Sequence, residues 1–359
     1  MEEAEKIAIF IGSLARGGAE RVSVLLGEYF NKKGVEVYII TLNTNFNEYQ
    51  INSRIRRIIL NEEEKGKWQW IHMVKKLKVI LSELKPTAVL VMGVPLCMYV
   101  VPALIGTKIP LLVSERNDPS NFKGRKIIGL LSKSLMRLAS GFIFQTEGAQ
   151  NQYSKKIQQR SVVISNPIDI NIFPEESLEY KNKKIVSVGR LVPQKNHELL
   201  INVFAKISKD YPEYSLIIYG EGRERNSLQK IIDSHNLSEK IILAGVKEDV
   251  LNQINDAELF VMSSNFEGLP NALIEAMALG IPVISTNCPS GGPASLIRHE
   301  FNGLLVPVGD KNELEKAVRL LLSDKNYAAE LGRNAYNIRA TLDIDVIGYH
   351  WFDFIRKFK

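Results

Sequence analysis

The sequence is poor in residues that build covalent or metal-held scaffolds. Its 359 residues include only two cysteines, Cys97 and Cys288. Both lie in apolar surroundings, so packed thiols in a reducing compartment are expected, not a disulfide framework or a metal site. There is no zinc-finger spacing and no aromatic ribonucleoprotein pattern, so no nucleic-acid partner is expected. The first ten residues, MEEAEKIAIF, put acids ahead of a short apolar run, which is not the form of a secretory signal. Residues 86–107 carry no charge over a length that could span a membrane. Gly93, Pro95 and Pro102 interrupt that stretch, so it reads as a strand, a turn and a helix. These absences point to a cytoplasmic protein.

What is present is ordinary in amount and uneven in placement. Apolar residues make up 45% and charged residues 24%, and the length suggests two domains. The net charge is +6. Residues 1–166 carry 24 Lys+Arg against 14 Asp+Glu, and residues 167–359 carry 22 against 26. A basic first half suits an anionic partner such as a membrane surface or a phosphorylated substrate.

Strand and helix signals alternate along the whole chain. KIAIFIG (6–12), VEVYIITL (35–42), AVLVMG (88–93), PLLVS (110–114), GFIFQT (141–146) and VVISN (162–166) read as one series of strands. KIVSVG (184–189), SLIIYG (215–220), KIILAG (240–245), ELFVMSS (258–264) and IPVIST (281–286) read as a second. Apolar strands alternating with helices predict an α/β chain with parallel sheets covered on both faces. Residues 167–183, with their prolines and scattered polar residues, read as a linker between domains 1–166 and 184–341. The aromatic and basic segment 342–359 reads as a closing helix that packs back, or alternatively as a membrane-touching tail.

The stretch EGLPNALIEAMALG (267–280) has two carboxylates in an otherwise uncharged segment. Gly268 and Pro270 predict a loop that hands over to a helix ending at Gly280 and Pro282. Glu267 then precedes the helix, and Glu275 lies about 7.5 Å along its axis. Between them is a helix N-terminus, with unpaired N–H groups and the positive end of the dipole. Such an arrangement suits a sugar, two phosphates and a ribose. A loop glutamate beside an unrelated helix glutamate remains the plainer alternative.

Two further motifs follow strand ends. In GSLARGGAERV (12–22), Gly17 and Gly18 allow close backbone approach to a ligand, although the G-x-G-x-x-G spacing of a dinucleotide site is missing. In VGRLVPQKNHELL (188–200), Arg190 and Lys195 suit phosphate oxygens, unless they are ordinary surface cations. His197 reads as structural. DID at 343–345 imitates a metal-binding pair but opens the last helix, where Asp is a normal cap, so no metal is assigned.

GGAER, GRL-x3-KN, E-x7-E, SNPID (165–169), GEG (220–222) and CPSGG (288–292) occur in an order that resembles the retaining glycosyltransferases of family 4, also called group 1. The resemblance implies the GT-B fold, two Rossmann-like doubly wound domains facing across a cleft. It places the acceptor on the first domain and the nucleotide sugar on the second. It implies that Arg190 and Lys195 hold the diphosphate, Glu275 bonds the ribose hydroxyls and Glu267 sits by the transferred sugar. Backbone groups of Gly268 and Leu269 would face the sugar and phosphates, and Gly17 and Gly18 would close over the diphosphate. Catalysis would then rest on stabilising the charge of the leaving diphosphate, with no cofactor. Retention would follow if the donor phosphate takes the acceptor proton on the same face. Many relatives carry a histidine where this chain has Arg116, in SERND. Here Arg116 would bind substrate by stabilising developing phosphate charge, or would pair with Glu115 or Asp118.

Residues 65–85 show an apolar helical stripe at Val74, Leu77, Leu81 and Leu84. Lys75, Lys78 and Lys85 lie beside it, and Trp68 and Trp70 stand near its start. The segment reads either as a solvated surface helix or as one meeting lipid headgroups or a lipid diphosphate. The combined expectation is a peripheral membrane enzyme that uses a UDP-sugar donor and a lipid-linked or oligosaccharide acceptor. A non-catalytic nucleotide-sugar-binding protein and a GT-B epimerase are the alternatives.

Overall fold

The computed structural model describes residues 5–15, 17–45, 47–61, 69–116, 126–174 and 182–358, without the side chains of 126 and 127. Trp68, Asp118 and the middle of segment 167–183 lie outside these. The chain divides into two compact units, residues 1–169 with 342–359 and residues 170–341.

Among the described residues the first unit has seven strands: β1 (Lys6–Ile11), β2 (Glu36–Thr41), β3 (Arg56–Ile59), β4 (Ala88–Met92), β5 (Leu111–Ser114), β6 (Gly141–Phe144) and β7 (Ser161–Val163). They form one sheet in the order β3-β2-β1-β4-β5-β6-β7, with every pairing parallel. The central strands are buried on both faces, which is why they read as unbroken apolar runs. Residue alternation sends Ala8, Phe10, Val89 and Val91 to one face. There they pack with Leu77 and Leu81 of α2 (Gln69–Leu84), Val100 and Ala103 of α3 (Cys97–Leu104) and Met136 of α4 (Lys126–Met136). The apolar stripe of α2 is Met73, Leu77 and Leu81, while Val74 and Leu84 are half-buried. The uncharged stretch 86–107 forms β4, a short 3-10 turn and α3, and no helix among the described residues is long and apolar enough to cross a membrane.

The strand that is hardest to read in the sequence is β3. Its RRII is half-exposed at the sheet edge, where charge protects against unwanted pairing. Arg57 makes two hydrogen bonds to Glu48, at 2.6 and 2.9 Å. Glu48 in turn accepts the Asn45 and Leu14 N–H groups, which fixes the loop after β1. The helix Ile344–Arg356 belongs to this unit and packs on α1 (Gly18–Lys32). Asp343 caps that helix by accepting the Asp345 N–H at 2.8 Å.

The second unit has six strands among the described residues: β8 (Asn182–Val188), β9 (Ser215–Tyr219), β10 (Ile241–Gly245), β11 (Ala257–Met262), β12 (Val283–Thr286) and β13 (Leu304–Val306). Their order is β10-β9-β8-β11-β12-β13, and all pairings are parallel. The strand order reverses between β8 and β11. In open α/β sheets, the crevice outside the carboxyl ends at such a reversal is where ligands bind.

Candidate active site

The loops after β8 and β11 meet at this reversal. The loop after β8 is anchored by Leu191, which is fully buried. It ends at Asn196, in the left-handed conformation (φ 47°, ψ 46°), which caps the helix His197–Ile207. Asparagine tolerates that conformation better than most residues. Ser263 Oγ donates to the Lys195 and Asn196 carbonyls at 3.1 and 2.9 Å. The Asn265 N–H donates to the Gln194 carbonyl at 2.8 Å, and Asn196 Nδ2 donates to Asn265 Oδ1 at 3.1 Å. The two loops are therefore held at a fixed separation.

Lys195 and Glu267 lie within this lattice, with Lys195 Nζ 2.5 Å from Glu267 Oε1. The same oxygen accepts from Ser264 Oγ at 2.6 Å. Gln194 Nε2 lies 3.5 Å from Glu267 Oε2 and donates to the Phe266 carbonyl at 3.0 Å. The side chains are only 15% and 7% exposed, so this pair is largely desolvated. Arg190, five residues earlier, is exposed and makes no ion pair among the described residues. The structure thus offers one committed cation and one open one.

Gly268 and Leu269 lead to Pro270, which stands at the N-cap of the helix Asn271–Ala278. Glu275 is the fifth residue of that helix and, like Glu267, is 6% exposed. Glu267 thus precedes the helix and Glu275 lies within it. The loop after β12 backs this segment: Thr286 Oγ1 and Cys288 Sγ both donate to the Ser264 carbonyl, at 2.6 and 3.2 Å. Gly292 lies so close that a Cβ there would stand 1.6 Å from the Gly268 carbonyl oxygen. The GEG motif acts similarly, since a Cβ on Gly220 would stand 2.1 Å from the Gly189 carbonyl oxygen. These glycines therefore bring backbones together.

His197 is 2% exposed, and neither ring nitrogen has a hydrogen-bond partner of normal geometry. Burial, reinforced by the nearby Lys195 charge, pushes its pKa down to about 4. The neutral ring is a packing element beneath the loop that carries Lys195. Ser264 and Gln194, which hold Glu267, were not foreseen; the only signal was their proximity in sequence to Glu267 and Lys195.

The remaining candidates lie in the first unit. Gly17 is the N-cap of α1, in extended conformation, and Gly18 is its first residue. The Glu20 carboxylate folds back so that a Cβ on Gly17 would meet its Oε2 at 2.4 Å. Arg116 follows β5 and is 8% exposed. Its Nη2 donates to Asn166 Oδ1 at 2.6 Å, and the Gln145 amide lies 2.7 Å from that same oxygen. Glu115 does not form an ion pair with Arg116. It accepts the Arg116 backbone N–H at 3.0 Å and the Tyr153 hydroxyl at 2.7 Å.

Two doubly wound parallel units are the architecture of the GT-B glycosyltransferases. The Glycosyltransferase Family 4 pattern matches residues 16–172, and the Glycosyl transferases group 1 pattern matches residues 169–338. Together these span nearly the whole chain, which belongs to this family of glycosyltransferases. It is 29% identical, over 94% of both chains, to a Campylobacter jejuni protein named N-acetylgalactosamine-N,N'-diacetylbacillosaminyl-diphospho-undecaprenol 4-alpha-N-acetylgalactosaminyltransferase. It is 26% identical to an uncharacterized glycosyltransferase of Haemophilus influenzae, over 97% of this chain and 99% of that one. Anabaena HepE, solved with UDP and glucose, shares the fold with a TM-score of 0.84 at 18% identity, over 98% of this chain and 99% of that chain.

Proposed function

We propose that the protein is a retaining glycosyltransferase that moves a hexose or N-acetylhexosamine from a UDP-sugar to a lipid-linked or surface-polysaccharide precursor. One observation carries this reading: the Lys195–Glu267 pair joins the loops after β8 and β11 at the strand reversal of the second unit, with Arg190 on the first of these loops and Glu275 buried in the helix that follows the second. Arg190 would take diphosphate oxygens, Lys195 would share its charge between Glu267 and the leaving phosphate, and Glu275 would accept from the ribose hydroxyls. Glu267 would orient the sugar, with the Gly268 and Leu269 backbone beside it. These cations are worth most as charge develops on the departing diphosphate. The donor phosphate itself would accept the proton of the incoming hydroxyl on the same face, which retains configuration.

The acceptor class is supported by the Campylobacter jejuni relative, whose name specifies a diphospho-undecaprenol-linked substrate. A peripheral membrane position is supported by the first unit. Leu130, Leu131 and Ile128 on α4, Ile105 after α3, and Trp70 and Val79 on α2 are exposed apolar residues. Lys75, Lys78 and Arg137 are exposed on or beside the same helices. Apolar side chains among cations suit an anionic bilayer surface.

The test is UDP release from a panel of UDP-sugars, with and without extracted lipid acceptors, and mass spectrometry of the products. A product of inverted anomeric configuration would overturn retention. UDP binding with no release under any combination would leave a binding protein in place of an enzyme.

A further inference from the structure

Arg116 sits at the carboxyl end of β5 with an unusual balance of burial and bonding. Its Nη2 is used by Asn166, but Nε and Nη1 are buried with no hydrogen-bond partner among the described residues. Ser114 Oγ, two residues earlier and fully buried, is also without a partner. Glu115, the adjacent acid, is already committed to Tyr153 and to the Arg116 backbone. The Glu20 and Glu115 charges favour the charged guanidinium, but its buried donors stay costly until an acceptor oxygen meets them. Open donors on two guanidinium nitrogens, plus a hydroxyl, suit a tetrahedral oxyanion that presents oxygens in several directions. Arginine is well matched to phosphate, and the unit that holds it is strongly basic.

We propose that Arg116, assisted by Ser114, seats a phosphate group of the acceptor in the first unit and makes the enzyme selective for phosphate-bearing acceptors. The assignment to the acceptor rests on the transferase reading above, whereas the seat can be tested without turnover. The probe is inorganic pyrophosphate, titrated calorimetrically into the full chain with and without saturating UDP. Pyrophosphate binding should persist under UDP. Arg116→Met should weaken it by about tenfold or more, the usual worth of charge-assisted hydrogen bonds, and leave UDP affinity unchanged. Arg116→Lys should recover part of the loss. With UDP saturating, pyrophosphate should raise the melting temperature of the wild type more than that of Arg116→Met.

A purely structural arginine predicts a lower melting temperature for Arg116→Met in the absence of ligand and equal pyrophosphate affinity, and that result overturns the proposal. So does a wild type that fails to bind pyrophosphate. If UDP displaces pyrophosphate and Arg116→Met weakens UDP, the residue serves the donor diphosphate and the acceptor assignment is wrong. If Arg116→Met does not fold, Ser114→Ala decides by the same titration, with a loss of a few-fold expected and no loss counting against the seat. A chain that binds pyrophosphate but not UDP would sink the transferase reading and leave the seat standing.

Discussion

Lys195 Nζ and Glu267 Oε1 are 2.5 Å apart, so a cation and a carboxylate from two different loops share one desolvated position. The family resemblance implied separate roles for them, one toward phosphate and one toward sugar. The structure makes each a condition of the other. Lys195→Ala would leave Glu267 buried and charged, at a cost of about 3 kcal/mol in stability. Adding Glu267→Gln should return most of that loss, because the uncompensated charge disappears. Denaturant unfolding of the two single variants and the double variant measures the coupling, and strictly additive losses would show that the pair is not a unit.

Arg190 should behave differently. It is exposed and unpaired among the described residues, so Arg190→Ala should leave stability within about 0.5 kcal/mol. Transfer should slow by about 10²–10³, the usual worth of one oriented donor to developing charge. Single-turnover rates together with a melting curve check both halves. Near-normal rates would make it an ordinary surface cation.

Glu275→Gln should weaken UDP binding, because ribose hydroxyls donate more strongly to a charged acceptor. Glu267→Gln should reduce turnover more than UDP affinity. Calorimetry with UDP and turnover at saturating donor separate the two, and the reverse pattern would exchange their roles.

His197 gives a pH dependence. Its imidazole falls to about 4 in the folded chain, against 6.5 ordinarily, because burial and Lys195 disfavour the charged form. Between those values the unfolded chain binds a proton that the folded one does not. Stability therefore rises with pH across this window and is lost as pH falls from about 6.5 toward 4. A His197→Gln variant should show a shallower decline in melting temperature over that range. An unchanged slope would assign the acid sensitivity elsewhere, with Glu48 next in line. Arg57 holds the Glu48 carboxyl below its ordinary range, so its contribution is lost only at more acid pH.

The membrane contact can be tested by its apolar part. Lys76 donates to the Ile59 and Leu60 carbonyls at 3.1 Å each, and Lys78 donates to the Ile105 carbonyl at 3.3 Å. Two of the α2 lysines thus brace the unit as well as charging it, so removing them would confound stability with binding. Leu130→Ser with Leu131→Ser avoids this. Flotation with phosphatidylglycerol vesicles should show a loss of at least several-fold, with salt weakening what remains. Binding equal to wild type would place the contact elsewhere.

Much of the architecture is legible in the sequence because a doubly covered parallel sheet demands long apolar strands, and these chains supply them. KIAIFI and AELFVM each bury all but one residue. The missed strands are those with less to bury: RRII at an edge, and LLV, only three residues long. Glu267, Glu275, Arg190 and Lys195 were legible because their spacing follows strand ends and one helix start. The Lys195–Glu267 bond was not, since it depends on how far two loops lean toward each other. That lean is set by Ser263, Asn265 and Gln194, which carry no spacing signal of their own. Arg116 stood out in the sequence as an exchange for histidine. Its burial and open donors emerge only when β5, β6 and β7 bring Gln145 and Asn166 beside it.

The contact between Gly292 and the Gly268 carbonyl bears on any attempt to change the sugar this enzyme accepts. Saturation libraries around a donor site usually include every nearby small residue. At 292 even alanine would drive a methyl group into a carbonyl that belongs to the loop carrying Glu267. Such a library would be filled with variants whose Glu267 loop has been pushed out of place, and their inactivity would say nothing about specificity. Asn271, on the first turn of the following helix, is half-exposed and already carries a side chain. Diversity placed there, with 292 left untouched, reads the pocket itself.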